Sequence, residues 1–274
     1  YKFQLPFTNQ KLTHMKRYIL STCQKVIFLF AFVLTFGATA YAQPGAALKF
    51  DGVDDIVTLP PLFVGASDFS VEFWMNYNTA LPNQRLFNFS DGGTVFMRFT
   101  PSNSNGNPSF EIANGAAPLV LEGSNNLPTG IWTHIAITAG AGQYILYING
   151  APASSGTSSI VPSILGATTI NYLGHNGTAD PFYNGSIDEF RVWYRTLCQQ
   201  EVQTNRTCEY GFSGLPGLHT YYRFNQGVGG GNNSVFNTLQ DESINNLNGN
   251  LVNFSLNGTN SNWIAGGGVT TGLF

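Results

Sequence analysis

The chain has 274 residues, 43% hydrophobic and 14% aromatic but only 10% charged, which excludes a disordered or highly charged polymer. Five of its twelve bases precede Gln43 and all fifteen acids follow it. From Gln43 onward, seven bases therefore face fifteen acids, a net charge of −8 that argues against nucleic acid or an anionic membrane as partner.

The first element is a leader. Met15 is followed by Lys16, Arg17 and Lys25, by the apolar run Val26 to Phe36, and by Ala40-Tyr41-Ala42. A charged start, a short apolar run and a small-x-small triplet make a secretory signal peptide, here 15–42. The run is too short to span a bilayer comfortably, so no stable membrane insertion is expected after cleavage. Residues 1–14 lie upstream of the start at Met15 and are read as an extension that is either non-native or wrongly included in the reading frame. The expected location is secreted or cell surface.

From Gln43 the chain alternates short apolar runs with turn clusters. Candidate strands are ALKF, DIVTLP, FSVEFWMNY, RLFNFS, TVFMRFT, SFEIAN, PLVLEG, THIAITA, QYILYING, TTINYLG and SIDEFRVWY. Asp51-Gly52, Asn114-Gly115, Asn149-Gly150, Asn176-Gly177 and Asn184-Gly185 punctuate them as hairpin-type turns. Many short strands with turn signals between them predict an all-β, two-sheet sandwich or barrel. One helix is expected, around Gln199 to Asn205.

Strand side chains alternate between faces. In FSVEFWMNY, Phe69, Val71, Phe73, Met75 and Tyr77 form a core face, leaving Ser70, Glu72, Trp74 and Asn76 outward. In SIDEFRVWY the alternation puts Asp188, Phe190, Val192 and Tyr194 on the core face, with Ile187, Glu189, Arg191, Trp193 and Arg195 opposite. A buried carboxylate at Asp188 needs a partner or a proton. The outward polar and aromatic residues read either as cross-strand ion pairs, with Arg191 meeting Glu72 or Glu189, or as a binding surface. Cys198 and Cys208 are the only cysteines after the leader, and in an oxidising compartment they read as a disulfide stapling the helix between them, with two buried free thiols as the alternative.

The ordered series ALKFDGVDDIVTLP, FSVEFWMNY, GIWTHIAIT, QYILYINGAPA, YLGHNG and FYNGSIDEFRVWYRTL resembles the laminin-G-like, concanavalin A-like jelly-roll modules of bacterial secreted proteins. The resemblance covers roughly residues 44–205. It implies two packed antiparallel sheets of jelly-roll topology and a non-catalytic module for glycan binding or adhesion, over 43–210. It also implies that the strand of Asp188 pairs with the strand of Asp51, which would gather Asp51, Asp54 and Asp188 into a structural Ca²⁺ site. The alternative is that these aspartates cap turn N–H groups. Residues 211–274 resemble the piece that precedes the FDG strand in many such modules. They are expected to complete the same sandwich, with a truncated second module as the alternative.

Candidate ligand residues are Trp74, Arg98, Arg191 and Trp193 on the outward face, and His175, Asn176, Asp180 and Tyr183 in the loop Gly174 to Gly185. The partner expected is a glycan or another cell-surface or extracellular ligand. A spacer role within a larger secreted protein and a glycoside hydrolase of the same fold are the alternatives. Against hydrolysis, the acid-x-acid-x-x-acid strand of concanavalin A-like endoglucanases is not met, because Ser186 and Arg191 stand at its outer positions around Asp188. His134, His175 and His219 show no metal-ligand spacing, and GVGGG lacks the lysine of a phosphate loop.

Overall fold

The computed structural model describes residues 45–79, 81–211 and 214–269. The expected leader at 15–42 and the expected extension at 1–14 lie outside the described residues. No helix among the described residues is long and apolar enough to cross a membrane.

Two antiparallel sheets form a sandwich. In chain order the strands are β1 (Ala46–Asp51), β2 (Ile56–Thr58), β3 (Phe69–Tyr77), β4 (Phe87–Ser90), β5 (Val95–Thr100), β6 (Ser109–Asn114), β7 (Leu119–Glu122), β8 (Thr133–Gly140), β9 (Gln143–Ile148) and β10 (Ala151–Thr157). A one-turn helix α1 (Pro162–Leu165), β11 (Ile170–Leu173), β12 (Asn184–Trp193) and helix α2 (Gln199–Asn205) follow. The last strands are β13 (Leu218–Tyr222), β14 (Thr238–Leu239), β15 (Gly249–Val252) and β16 (Asn262–Ala265). Sheet A runs β10-β9-β8-β3-β12-β1-β16, with β13 also on β12, and sheet B runs β14-β15-β2-β11-β4-β5-β6-β7. The segment after α2 therefore contributes strands to both sheets. The β9–β10 turn shows the local logic: Asn149 and Gly150 both hold positive φ, 51° and 81°, as a two-residue hairpin with native twist requires.

The core lies between the sheets. Phe69, Val71, Phe73, Met75 and Tyr77 of β3 meet Phe87, Phe89, Met97, Phe99, Phe110 and Ile112 of sheet B. Phe73 sits edge-on to Phe99 at 5.3 Å, a geometry the ring quadrupoles favour.

Strand β12 departs from simple alternation. Asp188 lies opposite Trp74, but Arg191 lies opposite Glu72, so β12 carries one residue more than β3 over this stretch. The bulge centres on Glu189, a non-glycine residue at φ 54°. Ile187, Phe190 and Val192 all enter the core, and Asp188, Glu189, Arg191 and Trp193 all point away from it. This corrects the expectation that Asp188 shares the core face with Phe190. The bulge falls where β12 changes partners on one edge, from β1 at Asn184–Ile187 to β13 at Phe190–Trp193.

Candidate functional site

Over β3 and β12 the outward face of sheet A is covered. Helix α2 buries Val202 among Ala136, Tyr147, Trp193, Leu197, Leu218 and Tyr221. The segment beyond it accepts the Trp74 indole N–H at the Arg206 carbonyl, 2.6 Å away. Across the bulge, Gly267 donates to the Gly45 carbonyl and Val269 donates to Asp188 Oδ2 at 3.3 Å. The candidates Trp74, Arg191 and Trp193, expected on an outward binding surface, are 9%, 1% and 1% exposed. They are internal, because sequence alternation cannot show that a helix and a C-terminal strap will cover a polar face.

What lies under that cover is an ion-pair network. Glu72 accepts from Trp193 Nε1 at 3.1 Å and from Arg191 at 3.4 Å, and its other oxygen is 3.5 Å from His134 Nε2. Arg191 also donates to Glu189 and to the carbonyls of Asn205 and Cys208, with its guanidinium 4.5 Å from the Tyr210 ring centre. Tyr221 donates to Glu189 as well. Burial alone would raise the Glu72 carboxyl, but His134, Arg191 and Trp193 together hold it below its ordinary range. Burial pushes Glu189 up to about 7 against the pull of Arg191 and Tyr221, and pushes Asp188 well up with the Glu189 charge adding to it. Burial lowers His134.

The aspartate expectation needs correction too. Strands β1 and β12 do pair, but the register sets Asp51 beside Asn184 and Leu48 beside Ile187. Asp188 therefore lies four residues along the strand from the Asp51 level, about 13 Å at 3.3 Å per residue. The carboxylates that do converge are Asp51, Asp54 and Asp55, with oxygens within 4.8 Å of one another. Asp51 Oδ1 accepts the Val53 N–H at 2.8 Å, and Asp55 accepts the Asp51 N–H at 2.9 Å and the Ser261 hydroxyl at 2.8 Å. Burial raises Asp55 to about 6. Three hard oxygen donors of this kind fit Ca²⁺ in chemistry, although two of the three carboxylates already accept protein donors.

Cys198 and Cys208 are free, which corrects the disulfide. Cys198 is the N-cap of α2 and Cys208 lies beyond its C-terminal end. Seven helical residues alone extend about 10 Å, more than a disulfide spans between Cα atoms. The helix that the bridge was expected to staple holds its ends apart.

The open polar face is that of sheet B. Register places Tyr172, Asn88, Arg98, Glu111 and Val120 in one outward row across β11, β4, β5, β6 and β7. Ile170, Ser90, Phe96 and Ala113 form a second row, and Thr100, Ser109 and Glu122 a third. The middle of the face is recessed: Asn88, Ser90, Thr100, Ser109 and Ala113 are buried, while Phe96, Arg98, Glu111 and Tyr172 are half-exposed. Arg98 lies 4.0 Å over the Phe96 ring and donates to Glu111 at 2.7 Å, which fixes its guanidinium plane. Arg85 donates to Thr100 and pairs with Asp180 at 3.4 Å. Four buried polar atoms here, Arg85 Nε, Asn88 Nδ2, Arg98 Nε and Ser109 Oγ, have no hydrogen-bond partner among the described residues.

The loop Gly174 to Gly185 meets this face through Asp180. Asn176 donates to Asp180 at 2.7 Å, and His175 accepts from the Gly177 N–H while its other nitrogen lies 3.0 Å from the Asp180 carbonyl. His175 stacks on Phe182 at 3.9 Å. His175 and Asn176 thus hold the loop, and Asp180 reaches the sheet. Tyr183 is fully buried, donates to the Ser186 carbonyl and packs on Phe50, so it is a core residue rather than a ligand contact. Of the expected ligand residues, Arg98, His175, Asn176 and Asp180 are brought to one face. Arg85, Asn88, Phe96, Glu111 and Tyr172 were missed, although RLFNFS, TVFMRFT and SFEIAN place three of them at outward alternate positions.

A family model described as the concanavalin A-like lectin/glucanases superfamily matches residues 51–203. The human adhesion G-protein coupled receptor D1 is 28% identical over 124 residues, 44% of this chain, and the matched part is 14% of that receptor. Among solved structures, a Bacteroides ovatus protein described as a candidate carbohydrate-binding protein aligns with TM-score 0.58 and 20% identity, over 76% of this chain and 58% of its own. Domain 4 of an extracellular arabinanase from Geobacillus stearothermophilus, in complex with arabinotriose, aligns with TM-score 0.50 and 24% identity, over 57% of this chain and 74% of its own.

Proposed function

The chain belongs to the concanavalin A-like lectin/glucanase superfamily, and on that premise we propose that it is a secreted, non-catalytic carbohydrate-binding module whose ligand lies on the outward face of sheet B. The observation that carries this reading is the half-exposed Arg98–Glu111 pair, with Arg98 seated on Phe96 and in one row with Asn88 and Tyr172. Arg98, Glu111 and Tyr172 are half-exposed on this face, so ligand hydroxyls can reach their polar groups. Planar groups already held in place also lose little entropy on binding. The Bacteroides ovatus protein and the arabinotriose-bound arabinanase domain support the reading at the level of the fold.

Non-catalytic binding fits the carboxylates of this face. A glycosidase needs two carboxyl groups flanking the scissile bond, one of them able to give a proton. Glu111 is engaged by Arg98, and Asp180 by Arg85 and Asn176. An adhesion role uses the same chemistry with the glycan presented on another surface. Calcium belongs to the reading as an ion held by Asp51, Asp54 and Asp55 at the turn between β1 and β2, without Asp188.

The test is a glycan array followed by calorimetric titration of the secreted chain. Binding that is lost in Arg98→Ala and weakened in Tyr172→Ala, with unchanged circular dichroism, is the expected result. Full affinity in both variants would place the ligand elsewhere.

A further inference from the structure

The sheet B face carries two arginines, and each has a carboxylate of its own: Arg98 with Glu111 at 2.7 Å and Arg85 with Asp180 at 3.4 Å. From this internal neutralisation, and resting on the carbohydrate reading above, we infer that the site selects uncharged saccharides over uronic, sialic or sulfated ones.

Sites for anionic sugars present a free cationic fork, because a guanidinium grips a carboxylate or sulfate through two parallel hydrogen bonds. Neither arginine is uncompensated here. One terminal nitrogen of Arg98 is committed to Glu111, and its plane is stacked on Phe96. Arg85 is committed at one terminal nitrogen to Thr100 and at the other to Asp180. An anionic ligand would have to displace Glu111 or Asp180, or lie against them as a like charge, which costs several kcal/mol in contact. The chain from Gln43 onward adds a net −8, a field that lowers the local concentration of any anion.

A hydroxyl both donates and accepts. The row Tyr172, Asn88, Arg98, Glu111 sets hydroxyl, amide, cation and carboxylate side by side. Neighbouring hydroxyls of a neutral sugar can satisfy all of these without breaking either ion pair. The row from Tyr172 to Val120 crosses five strands, about 19 Å at 4.8 Å per step, so it accommodates several sugar rings in line.

Matched pairs that differ only in charge separate this inference from the reading beneath it. The probes are oligogalacturonides as methyl esters and as free acids, xylan with and without glucuronate, and galactan with and without sulfate, each titrated into the secreted chain at low and high salt. Binding confined to neutral members, at least about tenfold tighter than to the acidic partner and insensitive to salt, is expected. Glu111→Gln, which leaves Arg98 uncompensated, should then raise affinity for the acidic member. Preference of the wild-type chain for acidic members, with affinity falling as salt rises, overturns the selectivity and leaves the carbohydrate reading standing. No binding to any member of either kind overturns both.

Discussion

Trp193 donates its indole N–H to Glu72 at 3.1 Å across the β12–β3 pairing, where neither side chain meets water. That bond anchors a charged cluster that a solvated sheet face would not need. Arg191 is its centre, shared between Glu72 and Glu189, so its charge is compensated only while both acids remain. Arg191→Met should lower unfolding free energy by about 3–5 kcal/mol, because two carboxylates are then buried without a cation. Urea denaturation measures this. A loss below about 1 kcal/mol would show that the network is not desolvated as described.

The same cluster sets a pH dependence of stability. Asp188 and Glu189 have raised values, Glu189 to about 7, so their contribution is full below the ordinary carboxylate range and is lost as pH rises through neutrality. His134 is lowered, so stability also falls as pH drops below the ordinary histidine value, where only the unfolded chain takes up that proton. Glu72, held low, adds a further loss in strong acid. Melting temperature should therefore fall on both sides of mildly acidic pH, and Asp188→Asn should flatten the alkaline limb. An unchanged alkaline limb in that variant would contradict the assignment.

The C-terminal strap should be sensitive to a single methyl group. A Cβ at Gly268 would lie 2.3 Å from Trp74 Cβ, and one at Gly267 would lie 2.2 Å from Asp188 Oδ2. Gly268→Ala should cost about 1–3 kcal/mol, as overpacking does. It should also expose the segment after Ala265 to limited proteolysis. A wild-type cleavage pattern would show that the strap does not seal this face.

Calcium should stabilise the chain through Asp51, Asp54 and Asp55, since an ion bound to the native state alone raises the melting temperature. The rise is expected to vanish with chelator and in Asp51→Asn, and to persist in Asp188→Asn. Equal melting temperatures with calcium and with chelator would dismiss the ion.

Much of the fold was legible because alternation is a local property. FSVEFWMNY divides its residues between core and outer face as the sequence suggests, and the predicted helix forms at Gln199–Asn205. The failures share a physical origin in long-range packing. Glu189 adopts positive φ without being glycine, so nothing local announces the bulge that turns Asp188 outward. Glu72, Trp74, Arg191 and Trp193 read as a wet surface because polarity in a strand does not reveal what will cover it. The cluster on sheet B was hidden for the opposite reason: Asn88, Arg98 and Glu111 were each readable as outward, but only the registers of β4, β5 and β6 make them neighbours.

The most direct test of the central claim is an amide chemical-shift titration of the isotope-labelled chain with the neutral oligosaccharide that binds best. The account expects the largest shifts at Asn88, Arg98, Glu111 and Tyr172, with Trp74 and Trp193 unmoved. Shifts confined to the Asp51–Asp55 turn, or to the cleft of about 310 Å³ between Ser124–Pro128 and Ala151–Ala153, would contradict it.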